Sequence, residues 1–488
     1  MWTKEELLRQ VEADLAGHKL IVVSNREPYV HQWKNGAIEV QQPASGMAAA
    51  IDPLLKACGG TWVAHGAGNA DRETVDEEAH VAVPPEDPKY TLRRVWLTEQ
   101  QERDYYYGCS NESLWPLCHM VYTRPVFEDR YWNAYREVNR LFADAVLEEA
   151  GDEPAFVFVQ DYHFALLPRM LKERNKKLMV AHFWHIPWPA QEMFRTFPWG
   201  EEMLDGMLGS DLLGFHLRYH SRNFTEAVRL GIEARADQTG FDITRHGHVT
   251  RVRAYPISID FEESSRVAKS DEAAIERECW VRELKLEGKL VGIGIERSDY
   301  TKGIPERLRA IDRVLEQWPE YRGRLVFVQI AVPSRAQLHD YQKLDEEITR
   351  LTEQINFRWG HDDWQPVVLI KEQHGAAAMA GLHRLADFCI VSALHDGMNL
   401  VAKEYVASRP DEDGVLILSR FTGAARELTD ALLVNPYAVG EIAEACRQAL
   451  EMPREERRHR MHKMRHQVSN NNIYRWASEL LSALMSVE

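Results

Sequence analysis

The chain has 488 residues, 45% hydrophobic and 27% charged, an ordinary globular balance at a length that suggests two or three domains. Asp and Glu outnumber Lys and Arg by 75 to 59, giving a net charge of −16. That balance argues against a nucleic-acid binder, because phosphate backbones call for a cationic surplus. Six cysteines, at 58, 109, 118, 279, 389 and 446, stand singly, so neither a disulfide framework nor a cysteine-built metal site is implied and free thiols are expected.

The chain opens on MWTKEELLRQVEADLAG, where Thr3 and Glu6 have the spacing of a capping box and Leu7, Leu8, Val11 and Leu15 share one helical face. This is not the apolar core of a signal peptide, and the longest apolar runs elsewhere, such as 375–382, are too short to span a bilayer. A cytoplasmic protein with no membrane partner is expected. Short apolar runs then alternate with helical patterns, the mark of a parallel α/β architecture. Strands are predicted at 19–25, 156–160, 178–184 and 211–216, with helices over 132–149 and 165–173. A second series follows YPISID (255–260), with strands at 289–295, 324–331, 366–370, 388–393, 415–419 and 432–436. Two doubly wound sheets fit this order, with a boundary near residue 260. The basic run REERRHRMHKMRH (454–466) reads as a solvated helix face, and IYRWASELLSALM as a final amphipathic helix.

Ligands of such sheets bind beyond the carboxyl ends of the strands. Polar residues concentrate there. HDGMNLVAKEYVA (395–407) follows the strand at 388–393: Gly397 permits a tight turn, a helix starts near 398–400, and the carboxylates of Asp396 and Glu404 flank a helix N-terminus suited to a diphosphate. ERSDYTKGIPERL (296–308) places Arg297 and Lys302 around a turn, two cations fit to neutralise a leaving diphosphate. SNREP (24–28) offers Arg26 as a phosphate ligand, and Gly46 opens a helix in ASGMAAAIDPLL (44–55). Asp161, His185 and Arg335 each follow a strand, and Tyr106 and Trp115 lie in YYYGCSNESLWP, where either a sugar pocket or a hydrophobic core would use them.

These stretches, with DYH, HIPWP, EMFRTFPWG, DLLGFH and LSRFTGAARELTDALLVNPY, resemble the trehalose-6-phosphate synthases from residue 24 to the last helix. The resemblance implies the GT-B fold, two Rossmann-like doubly wound domains facing a central cleft. It implies an acceptor-binding domain over 1–258, a nucleotide-sugar-binding domain over 259–467, and a terminal helix, 468–488, crossing back to the first. It implies a retaining glucosyltransferase acting on a nucleotide-glucose (UDP-glucose by default, ADP and GDP open) and glucose 6-phosphate. The catalytic set would be Arg297, Lys302, His185 and Asp396. Arg297 and Lys302 would hold the donor diphosphate, together with Gly397, Met398, Asn399, Leu400 and Val401. Glu404 would bind the ribose, Asp396 the transferred glucose, and Gly46 would sit on a loop closing over the donor. Arg26, Tyr106, Trp115 and Arg335 would grip the acceptor phosphate, and Asp161 the acceptor hydroxyls. No cofactor and no metal would be needed, and homo-oligomerisation is left open.

The chain departs from the family pattern at Met47, His65, Gln160 and His395. A glucosylglycerol-phosphate synthase, suggested by REPY and NG within 26–36, stays an alternative, as does a catalytically silent or C–N-forming relative. Phosphatase activity is not expected.

Overall fold

Strand Lys19–Arg26 lies at the middle of the first sheet because its run of Ile and Val is buried on both faces. The computed structural model of the chain describes residues 2–15, 17–42 and 46–486, without the side chains of residues 47, 49 and 50. Contacts divide it into two units, Trp2–Ile257 with Tyr474–Glu488, and Ser258–Ile473.

In the first unit a parallel core runs, in spatial order, His248–Ala254, Leu212–Phe215, Met179–Trp184, Ala155–Gln160, Lys19–Arg26, Thr61–His65 and Tyr90–Val95. Antiparallel strands extend both edges, His80–Val83 at one and Asp242–Arg245 with Arg235–Ala236 at the other. The four strands predicted here are present. Thr61–His65, Tyr90–Val95, His248–Ala254 and the hairpin Val30–Lys34/Ala37–Gln41 were not foreseen. After Lys19–Arg26 the chain builds outward on one side, and from Ala155–Gln160 onward on the other. The junction of these two strands is a topological switch point, where a crevice opens at the carboxyl ends.

The helix Lys4–Asp14 starts with the expected capping box: the Glu6 amide donates to Thr3 Oγ1 at 3.2 Å and the Thr3 amide donates to Glu6 Oε2 at 2.9 Å. The last helix, Ile473–Met485, covers the sheet of this same unit. Trp476 packs on Phe158 and Phe183, and its indole donates to the Tyr255 carbonyl at 3.2 Å.

The second unit has a six-stranded, wholly parallel sheet in the order Val367–Ile370, Leu325–Pro333, Leu290–Ser298, Phe388–Val391, Val415–Ser419, Leu432–Val434. Numbered along the chain this is 3-2-1-4-5-6, the doubly wound dinucleotide-type order, with its switch point between Leu290–Ser298 and Phe388–Val391. All six strands match the predicted runs. The basic run lies in the helix Arg454–Asn470, and it is more than a solvated face. Arg457, Lys463 and His462 reach Asp413, Asp430 and Glu412, while Arg465 donates to the carbonyls of Val406 and Ala407. The cations thus neutralise an acidic stretch of their own unit, which the sequence pattern alone does not show. All six cysteines are free thiols, and among the described residues no helix is long and apolar enough to cross a membrane.

Candidate active site

At the switch point of the second unit, Arg297 and Glu296 close strand Leu290–Ser298. A 3-10 turn, Tyr300–Lys302, follows, capped by Asp299, whose carboxylate accepts the Thr301 amide at 3.0 Å. Gly303 then takes φ 63°, and a Cβ there would meet the Ser392 carbonyl at 2.2 Å. Gly303→Ala is therefore expected to destabilise the protein by at least about 2 kcal/mol, read as a lowered urea midpoint, because both the backbone angle and a main-chain atom oppose it. The turn delivers Lys302 to the Asp396 carboxylate, an ion pair whose side chains are 10% and 13% exposed. Burial alone would lower the Lys302 pKa, but Asp396, Glu296 and Asp299 outweigh it and raise it, so the ammonium stays charged. Arg297 is half-buried and, among the described residues, has neither an ion pair nor a hydrogen bond. It is a cation left to a ligand.

Opposite lies the helix Leu400–Ala407. The left-handed residue of its approach is Asn399 at φ 72°, while Gly397 keeps out of the positive-φ region. Asn399 can carry that strain because its side chain is held at both ends. Its oxygen accepts the Ala402 amide at 3.2 Å, and its Nδ2 donates to Asp396 at 3.1 Å and Glu296 at 3.3 Å. The cap leaves the amides of Leu400 and Val401 as unspent first-turn donors, beside Met398 and Gly397. Glu404 stands one turn further on, its carboxyl pushed up to about 7 by burial and by the charge of Glu296.

Two further residues of this cluster, Glu296 and Arg307, lie within ERSDYTKGIPERL (296–308), where spacing alone points to no role for them. Glu296 is 6% exposed and its pKa is raised by burial. Arg307 is fully buried, donates to Ser392 Oγ at 3.0 Å and Gln329 Oε1 at 3.2 Å, and lies 3.7 Å from Glu296. It fits under the strand because Gly294 has no side chain: a Cβ there would meet its Nη1 at 2.3 Å. Arg335 is not presented to solvent here. Its guanidinium, on a side chain 4% exposed, lies 3.3 Å from Asp299 and donates to the Tyr341 hydroxyl. Burial opposes ionisation of Asp299, yet Arg335, Lys302 and Arg297 bring its pKa down to about 2.

The first unit gathers the remaining candidates at its own switch point. Arg26 ends strand Lys19–Arg26 and donates from Nη2 to the Tyr106 hydroxyl at 2.9 Å. Tyr106 lies in a π-helix, Glu102–Leu114, a form that concentrates at functional sites, and its ring stacks on His163 at 5.9 Å and 11°. Trp115, 5% exposed, packs on His119 and Tyr162. Asp161, directly after strand Ala155–Gln160, holds φ 70°, and its Oδ1 accepts the His185 amide at 3.1 Å. Gly46 is the first residue of the helix Gly46–Cys58; the segment 43–45 before it and the Met47 side chain lie outside the described residues.

Beneath Arg26 a buried charge cluster fixes the strand end. Arg94, fully buried, donates to Glu27 Oε2 at 2.8 Å and pairs with Asp71 Oδ1 at 2.9 Å, while the Ala67 amide donates to Glu27 Oε1 at 3.1 Å. Burial and the neighbouring Asp71 push Glu27 up to about 9, so it is protonated at neutral pH. Asp71 goes down to about 2, since hydrogen bonds from His31 and Glu27 and the Arg94 charge overcome burial. Arg94→Met is expected to cost about 3–5 kcal/mol by leaving a buried carboxylate without its cation, whereas Glu27→Gln, which replaces a neutral acid by an amide, is expected to cost less than about 1.5 kcal/mol. Urea denaturation of both variants measures the contrast.

Among the described residues no group of three or more His, Cys, Asp or Glu side chains is arranged to hold a metal ion. The family model for glycosyltransferase family 20 matches residues 18–486. A trehalose-6-phosphate synthase of Mycolicibacterium vanbaalenii is 37% identical over 485 residues, 98% of each chain. Among solved structures, the α,α-trehalose-phosphate synthase (UDP-forming) of Burkholderia xenovorans, in complex with glucose-6-phosphate, superposes with a TM-score of 0.84 at 33% identity, covering 96% of this chain and 99% of that one. The corresponding Burkholderia vietnamiensis enzyme gives 0.86 at 32% identity, covering 96% and 97%. The pair of Rossmann-like sheets is thus that of the GT-B fold. By this match over nearly its whole length, the chain is a member of glycosyltransferase family 20, and hence a glycosyltransferase.

Proposed function

We propose that the enzyme transfers glucose from UDP-glucose to glucose 6-phosphate with retention, forming α,α-trehalose 6-phosphate. The carrying observation is Arg297, a cation with no partner among the described residues, beside the Lys302–Asp396 pair and the open amides of Leu400 and Val401. Such a set suits a diphosphate whose charge grows as it leaves. The similar enzymes named as UDP-forming, one holding glucose-6-phosphate, support the choice of donor and acceptor.

In this reading the second unit takes the donor. Arg297 and Lys302 bind the diphosphate with Gly397, Met398, Asn399, Leu400 and Val401. Asp396 orients the transferred glucose, Glu404 accepts hydrogen bonds from the ribose hydroxyls, and Gly46 serves the donor from the start of its helix. The first unit takes the acceptor. Arg26, Tyr106 and Trp115 bind its phosphate, Asp161 its hydroxyls, and His185 a sugar hydroxyl at the reacting end. Arg335 would join the phosphate grip on leaving Asp299. The acceptor hydroxyl attacks the anomeric carbon from the face the diphosphate is leaving; the bond to the phosphate oxygen breaks, the new glycosidic bond forms, and the hydroxyl proton passes to that phosphate oxygen. The protein contributes position and charge stabilisation, so no protein nucleophile and no metal enter the scheme.

The experiment offers UDP-, ADP- and GDP-glucose, each against glucose 6-phosphate and glycerol 3-phosphate, and identifies the product by mass and phosphatase digestion. Trehalose 6-phosphate from UDP-glucose is the expected main product. Glucosylglycerol phosphate, or no turnover with any pair, would overturn the proposal.

A further inference from the structure

Gln160 ends strand Ala155–Gln160 and is fully buried. The neighbouring strand, Met179–Trp184, pairs Phe183 with it and leads directly into His185. The Gln160 amide nitrogen donates to the Phe158 carbonyl at 3.4 Å. A carbonyl can only accept, so the amide oxygen is turned the other way, to His185 Nε2 at 2.8 Å. That oxygen also only accepts, so His185 Nε2 must carry a proton. The His185 amide is tied to Asp161 Oδ1 at 3.1 Å, which fixes the residue from its backbone side.

The groups around the ring favour its neutral form. His182 lies on the same strand and donates from Nε2 to the Asp161 carbonyl at 3.0 Å. His216, whose ring centre is 5.4 Å away, follows strand Leu212–Phe215 and accepts the Ile257 amide on Nδ1. His163 comes from the 3-10 turn Tyr162–Phe164, and the Asp161 carboxylate accepts the His185 amide. Burial, then His216, His182 and His163, hold the His185 pKa well below the usual imidazole range. With Nε2–H committed to Gln160 and the ring neutral, Nδ1 is a lone pair. Among the described residues no hydrogen bond to it is found, and His185 is only partly buried.

We infer that Gln160 is a positioning residue for the transfer: its amide oxygen locks His185 as the Nε2–H tautomer and so presents Nδ1 as a fixed acceptor for a sugar hydroxyl. This rests on the proposed function only in placing a sugar at His185. A histidine at position 160 would fix no such direction. An imidazole there could donate, accept or titrate; the Gln160 amide does not titrate and, with its nitrogen held by Phe158, offers His185 only an acceptor, so the direction of the His185 bond is set over the whole neutral range.

The test uses the full-length protein with ¹⁵N-labelled histidine, assigning His185 by difference against His185→Ala. The expected spectrum is a neutral Nε2–H ring from about pH 6 to 8. In Gln160→Glu a carboxylate of the same shape faces Nε2 and favours the doubly protonated ring. His185 should then titrate near neutrality, and kcat at pH 7 should fall at least about tenfold and recover as pH rises. In Gln160→Leu the ring should sample both tautomers, with a lowered kcat and little change in KM for the donor. A neutral Nδ1–H ring in the unaltered protein overturns the inference, as does a Gln160→Glu protein that keeps the original spectrum and pH profile. Because the spectrum needs no substrate, an unaltered protein with the Nε2–H signature but no turnover of sugar phosphates would count against the functional proposal and not against the lock.

Discussion

Arg297→Ala is expected to lower kcat about 100- to 1,000-fold while moving the free energy of unfolding by no more than about 0.5 kcal/mol. The two halves of that expectation have separate causes. Arg297 has no ion pair or hydrogen bond among the described residues, so the folded protein loses little when it is truncated. A leaving diphosphate, by contrast, loses the planar donor that meets its growing charge in a site partly shielded from water. Lys302→Ala should reduce activity comparably, yet it should also destabilise, by about 3–5 kcal/mol, because the Asp396 carboxylate is left in a largely buried place without its cation. The pair of variants therefore separates charge stabilisation of the reaction from charge balance of the fold. Steady-state kinetics with UDP-glucose and urea denaturation of the same preparations provide the measurement. Unchanged product formation in the double variant Arg297→Ala, Lys302→Ala would remove both residues from the donor site.

The parts of the molecule legible in the sequence are those whose physics is local. The six strands of the second unit are short runs rich in Val, Ile and Leu, the four inner ones largely buried, and each is visible as such. The turns that follow them carry the donor candidates, and chain order alone places these at strand ends. What stayed hidden depends on partners far away in sequence. Strand Tyr90–Val95 reads YTLRRV, and its adjacent arginines look like surface, yet Arg94 is fully buried because the Asp71 carboxylate neutralises it and Glu27 accepts its Nε–H. Glu296 and Arg307 sit within ERSDYTKGIPERL, whose spacing shows no role for them, because only the folded turn brings Lys302, Asn399 and Arg307 around the Glu296 carboxyl. Arg335 was matched to an acceptor grip by resemblance, while the folded chain parks its guanidinium on Asp299 and Tyr341, a contact that sequence spacing does not encode. The same holds for Asn399: a turn with a glycine in it invites assigning the left-handed residue to Gly397, but three side-chain hydrogen bonds make asparagine the residue that bears it.

Donor affinity should fall as the solution is acidified through neutrality, and Glu404 is the reason. Burial, with Glu296 adding its charge, pushes its carboxyl up to about 7. Only the ionised form has both oxygens free to accept from the ribose hydroxyls. KM for the nucleotide-sugar is thus expected to rise below about pH 7, approaching tenfold per pH unit in the acid limb, while KM for the sugar phosphate changes less. The linkage to stability has the opposite sense. The folded-state pKa lies above the unfolded value of 4.5, so the folded protein binds more protons than the unfolded chain between about pH 4.5 and 7. Relative stability from this group is complete below about 4.5 and is lost as pH rises through 7, a loss of about 1–3 kcal/mol by pH 8. Glu404→Gln removes the titration. It should raise stability at pH 8 by that amount, flatten the pH dependence of KM for the donor, and weaken donor binding at every pH, since an amide offers one acceptor where the carboxylate offers two. A variant that loses stability at pH 8, or that keeps the acid rise in KM, would mean that the carboxyl is already ionised at low pH and that another group governs the profile. The enzyme on this account holds a destabilised carboxylate at the donor site, and the ligand's hydroxyls supply in the complex the hydrogen bonds that water supplies in the unfolded chain.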